Sequence, residues 1–302
     1  MSCNAERIQV KRAEKYGFCS GVRVADIKVR RFVREGNRGA ILGQVVHNER
    51  VVSEMEKMGM RTVQDLSEVA ESTVVFSAHG VPPSFHDDAK ARGLQVLDTT
   101  CTFVYDIHRE SRMALDEGHH LVFIGEPSHR EVIGYTNDLS PEAYHVISSR
   151  EQAATVDWAA YEKIRVFYQT TLNAEHYEST VRHIESCNPR TSRADTICYA
   201  TKENQEAARN LAEDPEVDLV LVIGGTKSAN THHLWEITSQ IKPSHLIQEP
   251  ADIRTDWLHG VSCVGLTAGA STPDSLVAEV EQFLLAYESD SDVKSKADSD
   301  SL

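Results

Sequence analysis

Three of the six cysteines in this chain share a sequence context that suits metal or iron–sulfur chemistry. Cys19, Cys101 and Cys198 lie in the segments KYGFCSG, DTTCTFV and DTICYAT, each after an extended segment and before a predicted helix. About one α/β unit of sequence separates each of these cysteines from the next. If three similar units pack around a centre, the thiolates can hold three corners of a [4Fe–4S] cluster and leave one iron open to a substrate. From these residues alone, a small buried hydrophobic role remains an alternative for each cysteine.

The other three cysteines, Cys3, Cys187 and Cys263, lack this context. The sequence contains no CxxC pair, which is the usual sequence evidence for a zinc-ribbon or thioredoxin-like site. Disulfides are rare in reducing compartments, which leaves metal binding and redox chemistry as the main alternatives to burial. Any ligand set must therefore be assembled from distant parts of the chain.

The bulk composition is that of an ordinary globular protein, with 302 residues, 40% of them hydrophobic and 25% charged. No apolar run approaches the roughly 20 residues that cross a bilayer, so we predict no membrane span. The N-terminal segment MSCNAERIQVKR lacks the apolar core of a signal peptide, which predicts a cytoplasmic protein. The net charge of −15 argues against non-specific nucleic-acid binding, which needs an excess of Lys and Arg.

Short apolar runs alternate with amphipathic stretches along most of the chain, and this alternation predicts repeated βαβ units. The runs are rich in Val, Ile and Leu and end in small or polar residues, as is typical of parallel strands buried on both faces. Strands are predicted at GAILGQVV, STVVFSAHG, LQVLDTT, HLVFIGE, IRVFYQTT, VDLVLVIGG and VSCVGLTAG. Helices are predicted at stretches such as ERVVSEMEKMG, HRESRMALDEG, ENQEAARNLAE and SLVAEVEQFLLAY.

Nearly every predicted strand ends in polar or sulfur-bearing side chains. Ligands of open α/β sheets bind beyond the carboxyl ends of the strands, so these positions are the place to expect a functional site. They are His47, Asn48, Ser77, His79, Cys101, His129, Glu131, Thr170, Thr171, Cys198, Ser228, Asn230 and Ser271.

Nine motifs, in this order along the chain, resemble the hydroxymethylbutenyl diphosphate reductase family, also called LytB or IspH. They are GFCSGV, VVHNERVVSEMEKMG, FSAHGVPP, LDTTCTFVYDIH, SHREVIGY, YQTTL, TICYATKENQEAARNLA, VLVIGGTKSANTHHLWEI and GLTAGASTPDSLV. The resemblance runs from about Val10 to Phe283, which is most of the chain.

The resemblance implies an α/β fold of three similar domains with mostly parallel sheets, arranged as a trefoil around a central iron–sulfur cluster. On this basis we predict α/β domains at residues 20–101, 102–197 and 198–285, with residues 1–19 returning to the third domain. Residues 286–302 are acidic and Ser-rich, and we predict that they are disordered.

The implied reaction is reductive dehydroxylation of 4-hydroxy-3-methylbut-2-enyl diphosphate to isopentenyl and dimethylallyl diphosphate, the last step of the non-mevalonate isoprenoid pathway. Cys19, Cys101 and Cys198 match the family's three ligands to one [4Fe–4S] cluster with an open iron site. Glu131 matches the position of the acid that supplies a proton to the leaving hydroxyl, and Thr170 would relay or orient that proton. The implied electron donor is a ferredoxin or a flavodoxin.

The matched substrate-binding positions offer neutral hydrogen-bond donors to the diphosphate. Hydroxyl, amide and imidazole groups can hold phosphate oxygens together with main-chain N–H groups at helix starts. The resemblance assigns this role to His47, His79, His129, Thr170, Ser228, Asn230 and Ser271.

Several positions depart from the family pattern, and four of them put the exact substrate in question. Arg130 stands where the family usually has Pro, Ala229 replaces a Ser, Tyr135 replaces a Thr, and Glu126 replaces a His. Two alternatives therefore stay open: a paralog that dehydroxylates a related allylic or phosphorylated compound, and a non-enzymatic metal-binding protein such as a Cys₃His zinc protein.

Overall fold

The computed structural model describes residues 7–287. The helices in this range are α1 (Ser20–Arg34), α2 (Glu49–Lys57), α3 (Ser84–Ala91), α4 (Thr102–Asp116), α5 (Arg130–Thr136), α6 (Arg150–Ala153), α7 (Ala174–Cys187), α8 (Tyr199–Glu213), α9 (Ala229–Ser239) and α10 (Asp274–Ala286). The strands are β1 (Gln9–Arg12), β2 (Ala40–Leu42), β3 (Arg61–Val63), β4 (Thr73–Phe76), β5 (Gln95–Asp98), β6 (His120–Ile124), β7 (Tyr144–Ile147), β8 (Ile164–Tyr168), β9 (Thr191–Arg193), β10 (Leu219–Ile223), β11 (Ser244–Ile247) and β12 (Cys263–Ala268). Cys3 and the predicted disordered tail from residue 288 onward lie outside the described residues.

The strands form three four-stranded sheets, and every strand pair in them is parallel. The strand orders are β1-β12-β10-β11, β3-β2-β4-β5 and β7-β6-β8-β9. Helices follow the strands of each sheet, because neighbouring parallel strands need a crossover connection between them. The predicted fold class, three similar α/β units with mostly parallel sheets, is confirmed.

The central strands are almost entirely buried because they lie between neighbouring strands and under helices. All five residues of β6 and all five of β10 are buried. Phe123 of β6 stacks on Phe167 of β8 with ring centroids 5.5 Å apart. Replacing such a buried Phe by Ala typically lowers the free energy of unfolding by about 3–5 kcal/mol. The packing of these strands therefore fixes the positions of the residues that follow them.

The described residues divide into two compact units. The first unit joins residues 7–18 to residues 203–287 and contains the sheet β1-β12-β10-β11. The second unit, residues 19–202, contains the other two sheets. The boundaries predicted for three separate domains stay a prediction. No helix described between residues 7 and 287 is both long and apolar enough to cross a membrane.

Candidate active site

The three cysteines predicted as ligands lie at helix N-termini in the second unit. Cys19 caps α1, Cys101 caps α4, and Cys198 directly precedes α8. The Val22 N–H donates to Cys19 Sγ at 3.5 Å, and the Thr201 N–H donates to Cys198 Sγ at 3.3 Å. The Val22 N–H favours the thiolate of Cys19, which is the form that binds metal, and so opposes the effect of burial on the pKa of this thiol.

The thiols of these cysteines lie close to one another. A Cβ atom added to Gly21 would lie 2.6 Å from Cys101 Sγ, so the Cys101 thiol packs against the first turn of α1. Burial, together with negative charge on Cys198 and Cys101, raises the pKa of Cys19 to about 11. Because Coulomb interactions weaken with distance, this mutual influence indicates that the three thiols are neighbours. Three converging sulfur donors fit an iron–sulfur cluster, and cluster binding must displace the thiol protons.

Two cysteines outside this set are also described. Cys187 is exposed at the end of α7, and Cys263 is buried at the start of β12. Among residues 7–287, no three His, Cys, Asp or Glu side chains are arranged to hold a single metal ion.

Glu131 and Thr170 form a buried hydrogen-bonded pair. Glu131 lies in the first turn of α5, Thr170 follows β8, and their exposed fractions are 4% and 5%. The Thr170 hydroxyl donates to Glu131 Oε1 at 2.7 Å, and the Thr170 N–H donates to Oε2 at 3.0 Å. Burial raises the pKa of Glu131, while these two hydrogen bonds oppose the shift. A carboxyl group that is fixed in position and inclined to keep its proton suits a general acid.

The three predicted substrate-binding histidines of the second unit lie together. His47, His79 and His129 follow β2, β4 and β6, so each lies beyond the carboxyl end of a strand. Their ring centroids are separated by 4.3 Å (His47–His79), 5.6 Å (His47–His129) and 6.0 Å (His79–His129). Burial lowers the pKa of His79 well below its usual value, and charge on the other two rings acts in the same direction. His79 is therefore a neutral imidazole at neutral pH, with one N–H to donate.

Arg130, a departure from the family pattern, lies between the loop after β2 and the histidines. Its guanidinium packs against Gly43, which follows β2 with φ +75°, and donates to Gln64 Oε1 at 2.8 Å. A side chain at position 43 would collide with the guanidinium, so this contact needs glycine there. The positive charge of Arg130 also contributes to the lowered pKa of His79. Arg130 therefore places a cation near the histidine cluster.

Tyr135 is a second departure whose environment sequence reasoning did not predict. Its ring stacks on Phe123 with centroids 5.0 Å apart and is 3% exposed. Among the described residues, none makes a hydrogen bond to its hydroxyl. Burial and the charge of Glu131 raise the pKa of Tyr135 well above its usual value, so the hydroxyl stays protonated close to that carboxyl group.

The remaining predicted site residues belong to the first unit. Ser228 caps α9 after β10, accepting a hydrogen bond from the Thr231 N–H at 3.3 Å, and Ser271 follows β12. Asn230 is 3% exposed, and neither polar atom of its side chain has a hydrogen-bond partner among the described residues. Since β10 and β12 are neighbours, all three residues follow the carboxyl ends of adjacent strands.

Comparison with known proteins identifies the family. The model of the family described as LytB protein matches residues 10–285. The 4-hydroxy-3-methylbut-2-enyl diphosphate reductase of Acidithiobacillus ferrooxidans is 36% identical over 280 residues, which cover 91% of this chain and 88% of that protein. The enzyme of the same name from Dehalococcoides mccartyi is 34% identical over 281 residues, covering 92% of this chain and 98% of that protein.

Two solved structures are similar to this one. The structure of the E-1-hydroxy-2-methyl-but-2-enyl-4-diphosphate reductase from Plasmodium falciparum aligns with a TM-score of 0.85 and 27% identity, over 92% of this chain and 87% of that chain. A structure of (E)-4-hydroxy-3-methyl-but-2-enyl diphosphate reductase, described as the terminal enzyme of the non-mevalonate pathway, aligns with a TM-score of 0.69 and 30% identity, over 93% and 100% of the two chains. Because the family model and these relatives match nearly the whole described chain, the resemblance seen in the sequence is confirmed, and the chain belongs to the LytB protein family.

Proposed function

We propose that this chain is a 4-hydroxy-3-methylbut-2-enyl diphosphate reductase that forms isopentenyl and dimethylallyl diphosphate. The reaction replaces the C–O bond of an allylic alcohol by a C–H bond and releases water, consuming two electrons and two protons. The observation that carries the proposal is the presence, in one unit, of three cysteines at helix N-termini and a buried, protonatable Glu131 hydrogen-bonded to Thr170. Electron delivery and proton delivery are the two requirements of this reaction.

Cys19, Cys101 and Cys198 would hold a [4Fe–4S] cluster, leaving one iron without a protein ligand. Such a cluster, when bound, would supply the electrons one at a time. The N–H groups of Val22 and Thr201, which donate to sulfur, would help set its reduction potential.

Glu131 would deliver the proton that lets the hydroxyl leave as water. Hydroxide is a poor leaving group, so protonation in the transition state is required, and a positioned carboxylic acid is the simplest source. Thr170 fixes the carboxyl through two hydrogen bonds and would return the acid to the same position after each turnover.

The diphosphate would be bound mainly by neutral donors. His79 contributes a neutral imidazole beside His47 and His129, and Arg130 adds a positive charge close to them. In the first unit, the amide of Asn230 is buried and has no hydrogen-bond partner among residues 7–287; a polar ligand would satisfy it, because a buried amide without a partner is costly. Ser228 and Ser271 are proposed to bind the diphosphate as well.

The electrons would come from a ferredoxin or a flavodoxin. We expect the protein to work in the cytoplasm, where thiols are kept reduced and remain available as ligands.

Growth of a bacterial strain that lacks its own reductase tests the function. We expect the wild-type chain to restore growth without added isoprenoid precursors and Cys101→Ser to fail. If an iron-loaded wild-type protein does not restore growth, the chain is the paralog with a related substrate. If the anaerobically purified protein is colourless and contains zinc, the non-enzymatic alternative is correct, because Zn²⁺ is a d¹⁰ ion without visible absorption.

A further inference from the structure

Exposed hydrophobic side chains are concentrated beside the three cysteines. Eleven large hydrophobic residues are exposed in the part of the chain that the structure describes, and five of them lie in the first three turns of the helices that begin after Cys19, Cys101 and Cys198. These five are Val24 (50% exposed), Ile27 (58%), Phe103 (36%), Tyr105 (45%) and Tyr199 (47%). We call them the apolar face.

Contacts of Tyr199 join the first turns of the three helices. The Tyr199 hydroxyl lies 2.9 Å from Ser20 Oγ, and its ring centroid lies 5.3 Å from that of Phe103. Ser20, Val24 and Ile27 follow one another at helical spacing, so they occupy one side of α1. The first turns of α1, α4 and α8 therefore share one continuous surface within the second unit.

A second set of contacts extends this surface along α1. Lys28 Nζ donates to the main-chain oxygen of Asp98 at 2.9 Å, and the Tyr105 hydroxyl donates to the carboxylate of the same residue. Tyr105 is thereby held next to the basic side of α1.

The apolar face is bordered by positive charge in an otherwise acidic chain. Helix α1 carries five basic residues and one acidic residue, whereas the whole chain has a net charge of −15. Arg30 is neutralised by Asp26 at 2.8 Å and Glu54 at 2.7 Å. Arg23 and Lys28 lie next to Val24 and Ile27 in the sequence of α1, and both are exposed. The surface therefore combines an apolar centre with a basic rim. An apolar centre within a polar rim is the usual composition of a protein-binding site, and positive charge in the rim suits an acidic partner.

The apolar face is also very close to the proposed ligands. Phe103 is two residues from Cys101, so their Cα atoms are separated by at most about 7 Å. Tyr199 is the residue after Cys198. A partner seated on these rings would come close to any cluster held by the thiols, and its negative surface would face the basic rim.

We propose that this face is the docking surface for an acidic one-electron carrier protein. The proposal rests on the proposed function, because that reaction consumes two electrons for each hydroxyl released as water. A one-electron carrier delivers one electron per encounter, so two reduced carriers must dock in turn and leave oxidised. Attraction to the basic rim would speed each encounter, and the apolar centre would supply most of the affinity.

Binding of an oxidised plant-type [2Fe–2S] ferredoxin to the iron-loaded enzyme, measured by titration calorimetry, tests the proposal. We expect Ile27→Glu to weaken binding at least ten-fold and Arg23→Glu to weaken it several-fold. The matched control is Met113→Glu, since Met113 is 53% exposed and lies on α4 about 15 Å along the helix from Phe103. It should bind like the wild type. Equal binding by the wild type and Ile27→Glu, or no binding by the wild type, would overturn the proposal.

Turnover with two different electron donors separates this proposal from the proposed function. With reduced methyl viologen, Ile27→Glu should react within about two-fold of the wild type, whereas its ferredoxin-driven rate should fall at least ten-fold at low ferredoxin concentration. If the wild type is inactive with methyl viologen but binds ferredoxin through Ile27, the proposed function fails and the docking surface stands. If sedimentation shows a wild-type dimer that Ile27→Glu dissociates, the face binds a second copy of this chain and the proposal is wrong.

Discussion

Two groups of histidines lie at opposite ends of strands in the second unit, and their surroundings differ. The carboxyl-end group, His47, His79 and His129, follows β2, β4 and β6. The amino-end group consists of His120, the first residue of β6, and His145, near the start of β7. Both groups are substantially buried, and burial lowers the pKa of histidines in each.

Contacts within the protein are sufficient to explain the burial of the amino-end group. His120 Nε2 lies 2.7 Å from His145 Nδ1, and the His120 ring stacks on Tyr161 with centroids 3.7 Å apart. The His145 ring packs edge-on against the buried Trp158. Neither a histidine cluster nor a lowered pKa therefore identifies a functional site. Position at the carboxyl ends of the strands, with His129 next to Glu131, is what distinguishes the first group.

The largest effect should come from replacing a cysteine that lies beyond the carboxyl end of a strand. In Cys101→Ser we expect iron and sulfide content to fall to near background, because the hydroxyl group is a far poorer ligand for iron than a thiolate. Cys187→Ser, which changes an exposed cysteine at the end of α7, should retain full iron content. Iron and sulfide analysis of both variants checks this, and a complete cluster in Cys101→Ser would contradict the assignment.

The next largest effect concerns the buried acid. Glu131→Gln keeps the size of the side chain but removes its titratable proton, so we expect turnover to fall by about 10²–10⁴-fold with substrate binding and iron content retained. Glu126→Gln is the matched control, because Glu126 is exposed and lies only five residues earlier. It should stay within a few-fold of the wild type. The opposite result, with Glu126 essential and Glu131 dispensable, would favour the paralog with its own substrate.

Substrate affinity should distinguish the two histidine groups directly. His47→Ala should weaken binding of the diphosphate substrate roughly ten-fold, since a hydrogen bond to a charged group typically contributes about 1.5–3 kcal/mol. His145→Ala removes a histidine of similar burial at the other end of the strands and should leave the dissociation constant unchanged. Calorimetric titration of both variants measures the two dissociation constants. Equal weakening of substrate binding in both variants would contradict the distinction between the two histidine groups.

The smallest effect concerns the amino-end histidine group, which should make the stability of the protein depend on pH. Burial lowers the pKa of His120 to about 4 from 6.5, so between these values the unfolded chain binds more protons than the folded protein. The free energy of unfolding should therefore fall as the pH drops from 6.5 towards 4. His120→Gln should reduce this loss by on the order of 1 kcal/mol, after allowance for solvent screening. Urea unfolding of both proteins at pH 7 and pH 5 measures this loss of stability. If His120→Gln loses as much stability as the wild type, other groups cause the pH dependence.

The sequence predicted the central strands better than the edge strands, for a physical reason. Strands β6, β8, β10 and β12 are buried between neighbours, so they appear as continuous apolar runs. Five of the six edge strands, β1, β3, β7, β9 and β11, were not predicted. They are three or four residues long and partly exposed, as in TSR of β9, and therefore lack the apolar signal.

The candidate site was predictable where the motif itself carries the chemistry. The cysteines, Glu131 and Thr170 follow strands and match a family, and the structure adds the hydrogen bonds that join Glu131 to Thr170. The contact of Arg130 with Gly43 depends on how α5 packs against the loop after β2, which no local pattern encodes. The apolar face was missed for the same reason, since its members come from three helices that are distant in the sequence.

Turnover of 4-hydroxy-3-methylbut-2-enyl diphosphate by the iron-loaded wild-type protein, with reduced methyl viologen as the donor, tests the central claim most directly. We expect isopentenyl and dimethylallyl diphosphate to form, with two electrons consumed for each substrate molecule. A protein with full iron content that forms neither product would contradict the proposed function.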